Sequence, residues 1–207
     1  MLWTEKYRPS KLSDIVGQEH FVLDAEQWVL EKNMPNVLAY GMQGTGKTGA
    51  AIALAKSMLG DTFKDNFFEV NASDDRRLET VRTTIKQVAQ SGTLGDAPFR
   101  IMLLDEMDGM TSDAQNALKR IMERYANNIR FIITCNDKSR IIFPLQSRCA
   151  NYRFNPLKNE IVLEVIKNIL DKEQVEGFAD EDLARFIYDL DGDLRRAITE
   201  IQAAKAL

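Results

Sequence analysis

The sequence predicts an α/β fold: a parallel sheet with helices on both faces, followed by a small domain of three helices. Three observations predict it. Short apolar runs alternate with helically periodic segments as far as residue 155. A glycine-rich loop, Gly41–Thr48, joins one apolar run to an alanine-rich segment. Beyond Asn155-Pro156 the short apolar runs cease and only helical periodicity remains.

The elements follow in order. Residues 21–31 (FVLDAEQWVLE) space their apolar side chains as one helix face, and residues 36–41 (NVLAYG) read as a buried strand running into the glycine loop. Residues 47–59 read as a helix, 67–73 as a strand, 78–90 as a helix and 99–106 as a strand. A helix is expected at 112–126, then strands at 130–136 and 151–154. This alternation implies a parallel sheet with helices on both faces. The remaining segments, near 158–173, 179–190 and 193–206, are helical. Two domains result, 1–155 and 156–207, with no internal repeat and no low-complexity segment.

Composition narrows the function classes. The 207 residues are 44% hydrophobic and 28% charged, enough apolar content for a real core. No apolar run approaches the ~18 residues of a membrane span. The opening Met1-Leu2-Trp3-Thr4-Glu5-Lys6 lacks the apolar stretch of a signal peptide, so an intracellular protein without a membrane partner is expected. That means cytoplasm or nucleoid in a prokaryote and nucleus in a eukaryote. Cys135 and Cys149 read as free thiols, and with His20 the only histidine a metal would be held by oxygens. Residues 1–154 carry 20 Lys/Arg against 19 Asp/Glu, while residues 155–207 carry 7 against 12. The acidic end conceals a basic stretch, 119–153, suited to face phosphate.

Gly41-Met42-Gln43-Gly44-Thr45-Gly46-Lys47-Thr48 fits the pattern G-x-x-x-x-G-K-[ST]. Glycines let the backbone N–H groups turn inward on phosphate oxygens; Lys47 adds charge at the β- and γ-phosphates and Thr48 a Mg²⁺ ligand. The loop opens a helix, whose N-terminus also favours anions. The expected ligand is ATP or ADP with Mg²⁺. Asp105-Glu106 closes an apolar strand, and ligands of open parallel sheets bind beyond the strands' carboxyl ends. Asp105 is the expected Mg²⁺ partner, and Glu106 is placed to polarise the attacking water. Asp108 is either a third member or a turn residue. Asn136 ends its strand at the same edge, and one of Arg195-Arg196 could reach back over the nucleotide.

With these residues in view, the chain resembles the small subunits of replication factor C, the sliding-clamp loaders of archaea and eukaryotes within the AAA+ ATPases. The resemblance rests on Trp3-Thr4-Glu5-Lys6-Tyr7-Arg8-Pro9, Val16-Gly17-Gln18, Gly41–Thr48, Asn71-Ala72-Ser73-Asp74 and Leu104-Asp105-Glu106. It continues through Ala114-Gln115-Asn116-Ala117-Leu118, Ser147-Arg148-Cys149 and Gly192-Asp193-Leu194-Arg195. It implies that Tyr7, Arg8 and Pro9, with Val16, Gly17 and Gln18, form the adenine-binding elements. It also implies that Asn136 is a sensor at the γ-phosphate and Arg195 the lid arginine on the nucleotide. Arg148 becomes an arginine finger acting in trans on the next subunit's ATP. The implied partners are other loader subunits in a homo- or hetero-oligomeric ring, the sliding clamp, and primer–template DNA gripped by its phosphate backbone.

The sequence departs from that family in three ways. Met42-Gln43 stand where prolines are usual, Met107 interrupts the D-E-A-D pattern, and Asp75-Arg76-Arg77 replace a flexible stretch. Members also continue into a helical collar, which is not expected within these 207 residues. For DNA, Arg82 and Lys86 lie four apart on one predicted helix face, and Thr111 and Ser112 stand at a helix N-terminus that suits a phosphate. Two other readings compete: a different DNA motor such as a branch-migration helicase, and a scaffold subunit that binds nucleotide without hydrolysing it. The first leaves W-x-E-K-Y-R-P unexplained, and the second sits poorly with Lys47, Glu106 and Arg148 all present. A bacterial loader subunit would carry a cysteine-rich zinc module, and this chain lacks one.

Overall fold

The structure is a computed structural model that describes residues 1–72 and 78–205, with residues 78–82 described by their backbone alone. Its elements in chain order begin with helices α1 (Trp3–Lys6) and α2 (Glu19–Glu31), strand β1 (Val37–Tyr40), and helices α3 (Lys47–Leu59) and α4 (Phe63–Asn66). Strand β2 (Phe67–Asn71), helix α5 (Leu78–Gln90), strand β3 (Arg100–Asp105), helix α6 (Ser112–Arg124) and strand β4 (Ile129–Cys135) follow. Helix α7 (Phe143–Gln146) and strand β5 (Ala150–Arg153) complete the sheet region, and α8 (Asn159–Glu173), α9 (Asp180–Tyr188) and α10 (Leu194–Ala204) follow it.

The five strands form one parallel sheet in the order β2-β3-β4-β1-β5. Successive side chains of a strand point to opposite faces, and two cores result. Val37, Ala39, Ile101, Leu103 and Ile132 pack beneath α2 and α3 with Phe21, Ala25 and Leu54. Leu38, Met102, Leu104, Phe131 and Ile133 pack on the other side beneath α5 and α6, with Ile85, Val88 and Leu118. Helix α3 is alanine-rich because it is buried on nearly all sides, from Gly49 to Ala55. Small side chains let it lie close to the sheet, and this holds the loop before it in place.

A third core belongs to the helices after Pro156: Leu157, Val162, Ile166, Leu183, Ile187, Ala197, Ile198 and Ile201. Trp3, only 4% exposed, is buried among them. The chain's first turn is therefore packed into a core built almost two hundred residues later. Periodicity alone does not show this, because α1 is only four residues long.

Most strands and helices fall within two residues of their expected ends. Strand β2 stops at Asn71, two residues short of its expected end, because its partner β3 ends at Asp105, where the Ala72 N–H donates to the Asp105 carbonyl at 2.8 Å. Helix α2 begins at Glu19, two residues before the periodic stretch. The short α7, with Pro144 in its first turn, falls between the strands expected at 130–136 and 151–154, where no helix is expected. Ser73 and Asp74, like Asp75-Arg76-Arg77, lie outside the described residues.

Candidate nucleotide-binding site

The loop after β1 turns at Gly44 (φ 78°) and Gly46 (φ 91°), left-handed geometries that glycine enters without strain. At Gly44 a glycine is needed twice over, since a Cβ there would lie 1.9 Å from Oδ1 of Asp193, on the N-cap of α10. Lys47 opens α3 and is buried, 8% exposed. Its Nζ donates to the carbonyls of Gly41 (2.9 Å) and Met42 (2.7 Å) and to Oδ1 of Asn136 (3.1 Å). Burial pushes its pKa down, while Cys135, Asp105 and Asp108 push it up. A desolvated ammonium held only by neutral acceptors attracts an anion strongly.

Strand order decides what meets this lysine. Strand β4 lies between the loop strand β1 and the carboxylate strand β3, so its end contributes to both. The Thr48 hydroxyl donates to the Asp105 carboxylate at 3.0 and 3.2 Å. The Thr134 hydroxyl, from β4, also donates to Asp105 and accepts the Glu106 N–H at 3.1 Å. Sequence reasoning does not single out Thr134. Its signal is a lone hydroxyl in the apolar run FIITC, two residues before Asn136 and hence on the same side of the strand. Asn71, at the end of β2, donates from Nδ2 to Oε2 of Glu106 at 3.4 Å, a second contact that the sequence does not announce. Glu106 itself has left-handed backbone (φ 54°). The Asp108 carboxylate accepts the N–H groups of Asn136 (3.2 Å) and Asp137 (3.4 Å), so it braces the turn after β4.

These groups line a cavity of about 330 Å³. Lys47, Thr48, Asp105, Glu106 and Asn136 form its sheet side, and Leu194, Arg195 and Ile198 of α10 its lid side. Arg196 pairs instead with Glu200 at 2.6 Å, so Arg195 is the member of the pair that faces the cavity. Tyr7, Arg8 and Pro9 form a further wall; the Tyr7 hydroxyl donates to Glu173 at 2.7 Å, and Arg8 pairs with Glu5 at 2.7 Å. Gly44 and Gly46 line the cavity, while Gly41 and Thr45 shape the loop from behind, Thr45 donating to the Met42 carbonyl at 2.8 Å. Val16 and Gly17 do not line it. Val16 packs against the lid core, and Gly17 (φ 69°) lets Leu157 approach to where a Cβ would be only 2.5 Å from its Cδ2. Gln18, 1% exposed, donates to the carbonyls of Asn155 (2.9 Å) and Thr45 (3.4 Å), joining the lid linker to the phosphate loop.

Among the described residues no cluster of three or more His, Cys, Asp or Glu could hold a metal. A hydroxyl and a carboxylate in contact, Thr48 and Asp105, are a donor set that fits Mg²⁺, which takes few protein oxygens and completes its shell with phosphate and water.

The other expected site residues lie elsewhere. Arg148 is outside this cavity: it is ion-paired with Glu123 and donates to the Pro144 carbonyl at 2.7 Å. It precedes β5, whose Ala150 pairs with Val37 at the start of β1. The phosphate loop follows Tyr40 at the other end of that strand, about 10 Å further along at ~3.3 Å per residue. Thr111 caps α6, accepting the Ala114 N–H at 3.4 Å, and Ser112 beside it is exposed. Lys86 is exposed, and the side chain of Arg82 lies outside the described residues.

A cavity between a glycine loop, the acidic end of β3 and the helices after Pro156 has the form of a nucleotide site of the P-loop class. The sequence model described as "ATPase family associated with various cellular activities (AAA)" matches residues 37–157, and the chain belongs to that family. Within it, the chain is similar to proteins named replication factor C small subunit. It is 50% identical to that of Methanothermobacter thermautotrophicus over 205 residues, 99% of this chain and 63% of the relative. It is 47% identical to that of Methanococcus maripaludis, also over 205 residues, 99% of this chain and 65% of the relative. That of Archaeoglobus fulgidus is 46% identical over 206 residues, covering 100% of this chain and 64% of the relative. The chain thus spans less than two thirds of the length of these relatives. Among solved structures, the Thermotoga maritima RuvB Holliday junction branch migration motor matches with TM-score 0.75 at 18% identity, over 93% of this chain and 63% of that one. That likeness is one of fold.

Proposed function

We propose that this chain is the ATPase part of a sliding-clamp loader subunit, using ATP binding and hydrolysis to place a ring-shaped clamp on primed DNA inside the cell. One observation carries the reading. The opening W-x-E-K-Y-R-P supplies a wall of the nucleotide cavity, in a chain 46–50% identical to replication factor C small subunits over at least 99% of its length. The branch-migration alternative has only the shared fold in its favour.

Roles follow from position. Lys47 and the loop N–H groups hold the phosphates. Thr48 and Asp105 would hold Mg²⁺, which would neutralise charge on the phosphate oxygens when bound. Thr134 fixes Asp105 and the backbone of Glu106 together. Glu106 orients the attacking water, Asn136 sits beside Lys47 at the γ-phosphate end, and Arg195 covers the nucleotide from the lid. Arg148, exposed at the opposite end of the sheet, would enter a neighbouring subunit's site and so make hydrolysis depend on a ring. Lys86 and Arg82, with the start of α6 at Thr111 and Ser112, are the proposed sequence-blind contacts to DNA phosphates. The test is ATPase of the full-length protein, with and without clamp and primed DNA. Stimulation of severalfold by the two together is expected; stimulation by four-way junction DNA, without dependence on a clamp, would favour the branch-migration reading.

A further inference from the structure

Glu173 is the last residue of α8 and does not line the nucleotide cavity, yet three donors of the chain's two ends gather on it. Its Oε1 accepts from Lys6 Nζ at 2.5 Å and from the Tyr7 hydroxyl at 2.7 Å, and Lys205 Nζ lies 3.8 Å from Oε2. Its side chain is only 13% exposed. The hydrogen bonds from Lys6 and Tyr7 hold its carboxyl below the ordinary carboxylate range. Two ammonium groups lie over the ring of Tyr7, Lys6 at 5.4 Å and Lys172 at 5.8 Å from its centroid. On the same side the Trp3 N–H donates to Oε1 of Gln202 at 2.8 Å. The strap's other end rests on the nucleotide-binding body: Pro9 Cδ is 3.2 Å from where a Cβ on Gly49 of α3 would stand.

Residues 3–9 are therefore a strap fastened to the lid at Trp3 and Tyr7 and leaning on the phosphate-loop helix at Pro9. Lys47, Thr48 and the strand ends take the phosphate end of the cavity. Tyr7 and Pro9, with Leu194 and Ile198 of the lid, supply its apolar wall, the part suited to the nucleoside. We propose that Glu173 is a positioning residue for the nucleoside end of the bound nucleotide: by holding Tyr7 and Lys6 it sets the wall formed by residues 7–9 from outside the cavity. This rests on the nucleotide reading of the cavity. Its consequence is that part of the affinity for ATP resides in a carboxylate that never meets ATP, and that this part is absent for phosphate chains lacking a base.

The test compares Mg-ATP with tripolyphosphate, both titrated calorimetrically into the full-length protein and its variants. Glu173→Ala leaves the Tyr7 hydroxyl and Lys6 without their acceptor. It should weaken ATP binding about tenfold, as loss of hydrogen bonds to a charged group does, with tripolyphosphate binding within about twofold. Turnover at saturating ATP should fall less than the affinity does, so the change is read mainly in KM. Glu173→Gln keeps a carbonyl oxygen for the Tyr7 hydroxyl and should recover most of the loss. Tyr7→Phe added to Glu173→Ala should cost little more than Glu173→Ala alone, because the two changes remove the same bond. Where Glu173→Ala fails to fold, Lys6→Met with Tyr7→Phe removes the same two hydrogen bonds from the strap side and must give the same split. Equal weakening of ATP and tripolyphosphate, or ATP affinity unchanged in both the Ala and the strap-side variants, would overturn the proposal. Wild-type protein that binds ATP no better than Lys47→Ala would overturn the nucleotide reading itself, and the proposal with it.

Discussion

The two ends of the same parallel sheet are built in opposite ways. At the carboxyl end, β1, β3 and β4 finish together, and the polar residues gathered there are bonded to one another: Lys47 to Asn136, Thr48 and Thr134 to Asp105. At the amino end, beside the start of β5, Arg148 stands at the surface, paired with the Glu123 carboxylate and donating to the Pro144 carbonyl. A surface ion pair contributes little stability, on the order of 0–1 kcal/mol. A buried lysine among carbonyls exerts a much stronger pull on an anion. The chain thus holds a bonded polar cluster at one end and, at the other, an exposed arginine that the proposed reading offers to a neighbouring copy. Head-to-tail copies would bring the two ends together.

The contrast between the ends is tested hardest at Glu106. Glu106→Gln should bind nucleotide normally and lose turnover by roughly 10²–10⁴, the range of a positioned general base; steady-state hydrolysis beside nucleotide titration decides it, and normal turnover would remove Glu106 from the mechanism. Lys47→Ala should weaken nucleotide binding by about a hundredfold, near 3 kcal/mol for a charged hydrogen-bond donor, measured by calorimetry. Arg148→Ala should leave that affinity within about twofold while lowering hydrolysis in assembled rings. The effect should be smaller than the roughly 10³–10⁵ of GTPase fingers, because Asn136 and Arg195 remain. Rings mixed from Lys47→Ala and Arg148→Ala subunits should regain part of the activity; no recovery would mean that Arg148 acts within its own chain. The smallest effect is expected for Arg82→Ala with Lys86→Ala, which should lower the salt dependence of DNA binding by about one unit per phosphate contact removed. An unchanged slope would return both residues to the solvated surface.

Much of the carboxyl end is legible in the sequence because its signals are local. Glycine spacing specifies the loop, and Asp105-Glu106 follow directly on four apolar residues. The alternation of runs and periodic segments specifies the sheet and its helices. What is not legible depends on pairs far apart in the chain. Thr134 reaches Asp105 only because β4 is inserted next to β3, and strand order is not written in any one segment. Trp3 lies in the lid core and Tyr7 on Glu173, contacts that cross 160 residues or more and leave no periodic trace. The choice between Arg195 and Arg196 depends on the phase of α10, set by its Asp193 cap, which accepts the Arg196 N–H at 2.9 Å. The sequence marks Thr111 as a phosphate contact at a helix start; the structure adds that its hydroxyl caps that helix, accepting the Ala114 N–H at 3.4 Å.

The left-handed backbone of Glu106 matters in practice for anyone evolving this protein. A residue with a Cβ pays about 1–2 kcal/mol in that conformation, and asparagine tolerates it better than glutamate. A library at position 106 screened only for heat resistance should therefore enrich glycine and asparagine over glutamate, and on the role proposed for Glu106 the winners would be sturdy proteins that hold ATP and leave it intact. If Glu106 has its proposed role, thermal tolerance and catalytic competence pull this position in opposite directions. A screen meant to improve the protein must score both, or it will discard first the carboxylate proposed to orient water.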